Sequence, residues 1–261
     1  MKFRTFASGS SGNCTYIEGD GTSILVDAGI SMRRIKRGLG ECGVLPGELS
    51  DILITHCHSD HISGLAMMSK YYSVPIYAPR VTAGVIARQA PAAIPYIKAF
   101  DPGQEFHIGS LIVSSFRTPH DAYDSVGYVV TDGDRSVAVV TDLGHVTPEI
   151  CACVSGVSAA VIEANHDLDM LKNGPYPYVL KRRIMEDNGH LSNSACAKLA
   201  VRLFESGTKR IVLAHLSSEN NTPELAYEAV CGELGKCGCI AGENMIVSVA
   251  PRSDMSEFFQ I

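Results

Sequence analysis

The sequence HCHSDH occupies residues 56–61 and comes directly after the apolar run ILIT at residues 52–55. The run is rich in β-branched residues and predicts a buried strand. In extended backbone, residues i and i+2 share a face, so His56 and His58 can point at one metal ion while Cys57 points away into the packing. The spacing therefore predicts a metal-binding loop at the end of a strand.

The second half of this stretch adds two more donors. If the chain turns into a helix at Ile62, Asp60 and His61 are displaced towards a second ion. Imidazoles and carboxylates suit zinc, manganese and iron alike, so the metal identity stays open. A solvated histidine-rich loop is the alternative, but this density of donors behind a buried strand favours a metal site.

Single acidic or imidazole groups come after three further apolar runs. The runs and the residues after them are 24–26 before Asp27, 137–141 before Asp142 and 211–214 before His215. Buried strands that end in polar side chains converge them on one cleft, because the strand fixes the position and the loop frees the side chain. We therefore expect these three residues to lie beside the HCHSDH stretch.

The composition fits one folded domain over residues 1–261. Of its residues, 46% are hydrophobic, enough to bury a substantial core, and no repeat or linker divides the chain. Hairpin turns are predicted at residues 18–21 and 132–134. Helices are predicted at residues 32–39, at residues 195–203 with Ser194 as the amino-terminal cap, and from Thr222-Pro223 to about Leu234. Strands precede a mixture of helices and strands, which predicts α/β sheets covered by helices.

The net charge of −6 and pI near 5.8 argue against a protein that coats nucleic acid by charge alone. Any nucleic-acid contact should be local, and Lys181-Arg182-Arg183 on a predicted helix could supply it. A solvated helix face is the alternative. No apolar stretch is long enough for a membrane span, and residues 1–5 lack the apolar core of a secretory signal, so the cytoplasm is expected. The oligomeric state stays open.

The nine cysteines form no regular framework, and reduced thiols are expected. The pairs Cys151/Cys153 and Cys237/Cys239 suggest a zinc or redox site as an alternative. Neither pair has a partner pair at zinc-ribbon spacing, which favours the ordinary use of cysteine as a small buried residue.

These motifs resemble the metallo-β-lactamase superfamily, whose αββα fold packs two mixed β-sheets between helices. HCHSDH matches the family's HxHxDH motif at every ligand position. Asp27 looks like the family aspartate that orients ligand histidines, and His120, Asp142 and His215 match the remaining ligands. The resemblance implies one metal ion on His56, His58 and His120, another on Asp60, His61 and His215, and Asp142 as the bridge.

The resemblance also implies the chemistry of such a site. Two divalent ions, whether zinc, manganese or iron, lower the pKa of a bridging water and produce a hydroxide nucleophile near neutral pH. Asp60 could also help to orient that nucleophile. His190, in GHLSN at residues 189–193, resembles the histidine with which tRNA 3′-processing nucleases protonate the leaving oxygen. A helix cap or core histidine is the alternative for His190; His107 looks like a surface residue.

Three segments resemble the bacterial YycJ-type group, which is associated with 5′→3′ exonuclease activity on DNA. They are SGSSGN at residues 8–13, EANHD at residues 163–167 and the GHLSN segment. Backbone amides and hydroxyls of a Ser/Gly loop can approach a metal or a phosphate closely. The candidate substrate contacts are Ser8, Ser10, Ser11, Asn13, His166 and Ser192. The roles of His145 and His166 stay open.

The runner-up is a phosphodiesterase of small molecules, such as cyclic nucleotides or phosphoribosyl cyclic phosphates, because related enzymes share the same ligands. Cleft width and a basic track would separate the two functions. Asp142 and His215 leave no room between them for the large insertion of β-CASP nucleases. A β-lactamase or thioester hydrolase would lack the SGSSGN and GHLSN segments, and a di-iron oxygen-reducing protein would carry a carboxylate at position 58.

Overall fold

The computed structural model describes all of residues 1–261. The strands are β1 Lys2–Ala7, β2 Cys14–Gly19, β3 Thr22–Val26, β4 Asp51–Leu53, β5 Ile76–Pro79, β6 Ile97–Phe100, β7 Glu105–Ile108, β8 Leu111–Arg117, β9 Val126–Asp132, β10 Arg135–Val140, β11 Ala159–Glu163, β12 Arg210–Ala214, β13 Ile246–Val249 and β14 Phe259–Gln260. The α-helices are α1 Met32–Glu41, α2 Ser59–Ile62, α3 Leu65–Tyr71, α4 Arg80–Gln89, α5 Pro148–Cys153, α6 Leu168–Asn173, α7 Tyr178–Met185, α8 Asn193–Glu205 and α9 Pro223–Lys236. Two 3-10 helices span Pro46–Glu48 and Pro91–Tyr96.

The strands form two seven-stranded sheets, each part antiparallel and part parallel. The first has the order β14-β1-β2-β3-β4-β5-β6 and becomes parallel from β3 onwards. The second has the order β13-β12-β11-β10-β9-β8-β7, with β10 to β13 parallel. The carboxyl ends of parallel neighbours meet at one edge of a sheet. The loops after β3 and β4 therefore lie together, and so do the loops after β10, β11 and β12.

Three apolar clusters hold four layers together. One contains side chains of both sheets, such as Val26 and Leu53 from the first and Val139 and Val212 from the second. A second cluster packs the first sheet under α1, α3 and α4, and a third packs the second sheet under α5, α8 and α9. The predicted α/β sandwich of two mixed sheets flanked by helices is confirmed.

Both predicted hairpins are present, and α9 begins with Pro223 after a Thr222 cap and extends two residues beyond Leu234. Two local predictions are wrong. Ser192, and not Ser194, caps α8, because its hydroxyl accepts the Ala195 N–H at 3.3 Å. The helix after the first two histidines of the motif ends at Ile62 instead of beginning there.

The cysteine and membrane predictions can also be compared with the structure. All nine cysteines are free, and no two of them form a disulfide. None of the nine helices has the length and apolar character that a membrane crossing requires.

Candidate metal centre

The strand ends bring the predicted donors to one place between the two sheets. Val26 of β3 pairs with Leu53 of β4, so Asp27 lies beside the HCHSDH loop. In the second sheet, Glu163 at the end of β11 pairs with Ala214 of β12, directly before His215. Parallel register therefore accounts for the convergence that the sequence predicted.

Three of these strand-end residues adopt left-handed backbone conformations. The φ angle is 64° at Asp27, 57° at Asp142 and 57° at His215. Such a conformation costs a residue with a side chain roughly 1–2 kcal/mol, so the surrounding packing must impose it. The resulting sharp turn lets a side chain at the end of a buried strand face the cluster instead of the core.

His56, His58 and His120 form the first group of donors, with one ligand atom from each within 4.8 Å of the others. His58 Nδ1 lies 3.3 Å from His120 Nε2. In two of these rings the other nitrogen contacts a residue outside the group. His120 Nδ1 lies 3.2 Å from the Gly189 carbonyl oxygen, and His56 Nδ1 lies 3.1 Å from Thr55 Oγ1. These contacts fix the ring orientations and direct the remaining nitrogens towards one another.

Asp60, His61 and His215 form the second group. Asp60 Oδ2 lies 3.5 Å from His61 Nε2 and 3.6 Å from His215 Nε2. His61 Nδ1 lies 2.7 Å from Asp27 Oδ2, and Asp27 also accepts hydrogen bonds from the Thr55 amide and hydroxyl. Asp27 therefore contacts the nitrogen of His61 that faces away from Asp60.

Asp142 lies between the two groups. Its Oδ2 is 3.1 Å from His61 Nε2 of the second group, and its Oδ1 is 3.7 Å from His120 Nε2 of the first. Oδ1 also lies 3.5 Å from His215 Nδ1 of the second group, so the carboxylate contacts residues of both donor groups. This is the arrangement that a bridging ligand requires.

Unpaired buried atoms test whether these residues fit metal ions. Three of the nine buried side-chain atoms that make no hydrogen bond belong to the predicted ligands: His56 Nε2, His215 Nε2 and Asp142 Oδ2. Buried polar atoms without partners are rare because each costs the desolvation of the group. All three atoms belong to the donor groups, so divalent cations there would satisfy them, and the residues fit the metal site that the fold family implies.

The electrostatics of the cluster differ from one donor to another. Against the effect of burial, Asp27 and Asp142 raise the pKa of His61, and Asp142 and Asp60 raise the pKa of His215 to about 10, so binding of a metal ion at these two histidines must release a proton. Burial, together with the neighbouring imidazoles, holds the pKa of His56 well below its usual value, so the neutral form that binds metals is favoured. Burial opposes ionisation of Asp142, yet His215 and His61 lower the pKa of Asp142 well below its ordinary value. The same histidines lower the pKa of Asp60 against the effect of burial. Both carboxylates therefore remain charged and able to bind cations.

Glu163 is a site residue that was noted from the sequence only as part of the EANHD segment. It is fully buried, and its Oε1 lies 2.8 Å from His190 Nδ1 and 2.9 Å from His215 Nδ1. Its Oε2 accepts the backbone N–H groups of Leu143 and Leu191. A signal for Glu163 was present, since it comes after the apolar run 159–162 just as the other strand-end donors come after theirs.

His190 lies at the rim of the cluster with 24% of its side chain exposed. Burial alone would lower the pKa of His190, but the Glu163 carboxylate in contact with it raises the pKa above the ordinary value. With Nδ1 held by Glu163, the Nε2 atom makes no hydrogen bond within the protein. The protonated ring is thus favoured and has a donor nitrogen available.

The amino-terminal loop, residues 8–13, contains both buried residues that contact the donor cluster and exposed serines. Ser8 is buried, and its hydroxyl accepts the His215 backbone N–H at 2.8 Å, while Ser10 and Ser11 are exposed. Asn13 Nδ2 lies 3.0 Å from His61 Nε2 and 3.3 Å from Asp60 Oδ2. Ser8 and Asn13 therefore contact the donor residues directly.

The remaining candidates lie farther out. His166 is buried beside the start of α8, and burial lowers its pKa to about 4. Ser192 caps α8, and exposed His145 contacts the Asp187 carbonyl oxygen through Nδ1 at 2.9 Å. His107 is exposed on β7, as expected.

Of the basic residues on α7, one faces the site. Lys181 donates to the Lys172 carbonyl oxygen, and Arg182 pairs with Glu186 at 3.1 Å. Arg183 instead pairs with Asp121, whose Oδ1 lies 3.3 Å from His120 Nε2. Asp121 was not predicted from the sequence, because a single aspartate after a histidine gives no recognisable pattern.

The four-layered α/β sandwich, the His/Asp donor groups at its strand ends and the family and relatives described next identify a metal-dependent hydrolase. The chain belongs to the β-lactamase superfamily, since the family model described as "Beta-lactamase superfamily domain" matches residues 22–216.

Two curated relatives and one solved structure are similar to nearly the whole chain. "Exodeoxyribonuclease YycJ" of Bacillus anthracis is 36% identical over 246 residues, which cover 93% of this chain and 92% of the relative. "Exodeoxyribonuclease WalJ" of Streptococcus pneumoniae serotype 2 is 38% identical and covers 90% of this chain and 89% of the relative. The fold is also similar to that of the crystallised metallo-β-lactamase fold protein YhfI from Bacillus subtilis, with a TM-score of 0.73 at 18% identity over 98% of this chain and 99% of that one.

Proposed function

We propose that this chain is a metal-dependent phosphodiesterase that degrades DNA from its 5′ end. The similarity to two proteins named exodeoxyribonuclease extends over nearly their whole length and supports a nuclease. The observation that carries the chemical part is the His/Asp cluster with His190 held beside it by Glu163. We propose two ions of zinc, manganese or iron in that cluster.

Bound divalent ions would lower the pKa of a water to form the nucleophile and would neutralise charge on the phosphate. The ions would be held by His56, His58, His120, Asp60, His61, His215 and Asp142. Asp27 and Glu163 fix the rings of His61 and His215, so little reorganisation is needed on binding.

His190 is proposed as the general acid of this reaction. Glu163 holds its Nδ1 and favours the protonated ring, so Nε2 can donate a proton to the leaving oxygen. Asp60 lies in the second donor group, where its carboxylate can orient the attacking water. Each of these residues therefore has a defined proton or ligand role.

The test is hydrolysis of 5′-phosphorylated DNA and of a small phosphodiester by enzyme of defined metal content, with Asp142→Ala as the control. Stepwise release of nucleotides from the 5′ end is the expected result. Turnover of the small diester alone would favour the small-molecule phosphodiesterase and would contradict the exonuclease proposal.

A further inference from the structure

A cavity of about 190 Å³ lies against the metal centre. His190 forms one wall, and Asp121, which approaches His120, forms another. A group in this cavity would therefore be next to any phosphodiester that reacts at the cluster.

Arg183 is the one lysine or arginine that lines the cavity. Its Nε and Nη2 donate to Asp121 Oδ2, and its Nη1 makes no hydrogen bond within the protein. A guanidinium carries five N–H donors in a planar fork that matches phosphate oxygens. Arg183 therefore retains donors for an anion while Asp121 holds its orientation.

The backbone fixes Arg183 relative to His190. A Cβ atom at Gly189 would lie 2.4 Å from the Arg183 carbonyl oxygen and 2.3 Å from that of Ile184, so glycine is required for this close approach. The His190 N–H also donates to the Ile184 carbonyl oxygen at 3.0 Å. These backbone contacts thus fix the position of His190, the proposed general acid, relative to the end of α7.

The rest of the cavity combines hydroxyls with apolar surface. Ser10 and Ser217 supply hydroxyl groups, and Tyr176 and Leu180 supply an aromatic ring and an aliphatic side chain. Aromatic side chains bind nucleobases by stacking with little preference for sequence, and hydroxyls donate to phosphate or sugar oxygens. The lining thus offers partners for each part of a nucleotide.

We propose that this cavity binds the phosphorylated terminal nucleotide of the substrate strand, with Arg183 on the terminal phosphate and Tyr176 against the nucleoside. The proposal rests on the proposed phosphodiesterase function for its biological use, but nucleotide binding can be measured without any turnover.

The first experiment is calorimetric titration of the metal-loaded protein with thymidine 5′-monophosphate, thymidine and inorganic phosphate. We expect the monophosphate to bind more tightly than either of the other two. Arg183→Gln should weaken its binding about tenfold or more, because a hydrogen-bonded charge is lost. Arg182→Gln is the matched control, since Arg182 lies next along the same helix but pairs with Glu186, and it should leave the affinity unchanged.

The Arg183→Lys variant tests whether a loss of affinity in Arg183→Gln arises only from the loss of the ion pair with Asp121. Lysine keeps a positive charge beside Asp121 but lacks the planar fork. This variant should retain its metal content and its melting temperature and still bind the monophosphate more weakly than the wild type. Equal affinities in the wild type, Arg183→Lys and Arg183→Gln would overturn the proposal, as would binding of inorganic phosphate as tight as that of the nucleotide.

The second experiment compares 5′-phosphorylated with 5′-hydroxyl DNA. Arg183→Gln should raise KM for the phosphorylated strand about tenfold, because the substitution removes a charged hydrogen bond to the terminal phosphate. KM for the hydroxyl strand should stay unchanged. Equal effects on both strands would exclude recognition of the terminal phosphate while leaving the exonuclease intact. Nucleotide binding that depends on Arg183, together with no hydrolysis of DNA, would instead reject the proposed function and retain the subsite.

Discussion

The donor cluster and the α7 wall of the adjoining cavity, which consists of Leu180, Arg183 and Ile184, lie side by side but are held in place differently. The cluster side chains come from strand ends in parallel register, and buried acceptors such as Asp27 and Glu163 fix their rings. The wall depends on Arg183, whose side chain is 62% exposed, and on its ion pair with Asp121. Changes in the cluster should therefore alter metal content, whereas changes in the wall should alter substrate affinity.

The largest effect is expected for Asp142→Ala. The substitution removes the carboxylate that faces both donor groups, so metal content should fall and turnover should drop at least about 1000-fold. Elemental analysis of the protein and DNA hydrolysis measure the two effects. Asp134→Ala, at an exposed hairpin turn, is the matched control. Full metal content in the Asp142 variant would contradict the expectation that changes in the cluster alter metal content while changes in the α7 wall alter substrate affinity.

His190→Ala should separate chemistry from metal binding. The variant should keep its metal, because His190 is not among the proposed ligands, and should lose about 10²- to 10⁴-fold in kcat as expected for a lost general acid. Single-turnover kinetics with metal content confirmed provide the measurement, and exposed His107→Ala is the control. Unchanged turnover would exclude His190 from the reaction.

Asp27→Asn should weaken metal binding without removing a ligand. The amide keeps the shape of the side chain but loses the charge that holds His61 Nδ1, and such outer partners are worth about 10- to 100-fold in metal affinity. Competition with a chromophoric chelator measures the change. A metal affinity within about twofold of the wild type would show that packing alone orients His61, since the expected loss is at least tenfold.

Glu163→Gln should shift the pH dependence of turnover. The carboxylate raises the pKa of His190, so its loss should lower that pKa, and protonated His190 should disappear at a lower pH. The descending limb of kcat against pH should move towards acid, while the rate on the acidic side of that limb changes less. Metal content must be checked because Glu163 also contacts His215. Glu186→Gln, at an exposed residue directly after α7, is the control. A descending limb at the same pH as in the wild type would show that Glu163 does not influence proton transfer by His190.

Most of the cluster could be predicted because its information is local. The HCHSDH spacing and the polar residues after apolar runs indicate six of the seven predicted ligands, and His120 was predicted only from the family resemblance. The structure brings all seven together. Glu163 carries the same strand-end signal but was not singled out next to His166. Asp121 gave no signal, since its contact with Arg183 joins segments 62 residues apart.

The amino-acid sequence was sufficient for the fold class, the donor types and their order along the chain, because hydrophobic periodicity and short-range spacing encode strands and the loops after them. Two other features were settled by tertiary packing: which nitrogen of each histidine faces the centre, and that Arg183 lines the cavity while Lys181 and Arg182 do not. Those outcomes depend on contacts between distant segments, such as the close approach of Gly189 to the end of α7, and no local pattern specifies them.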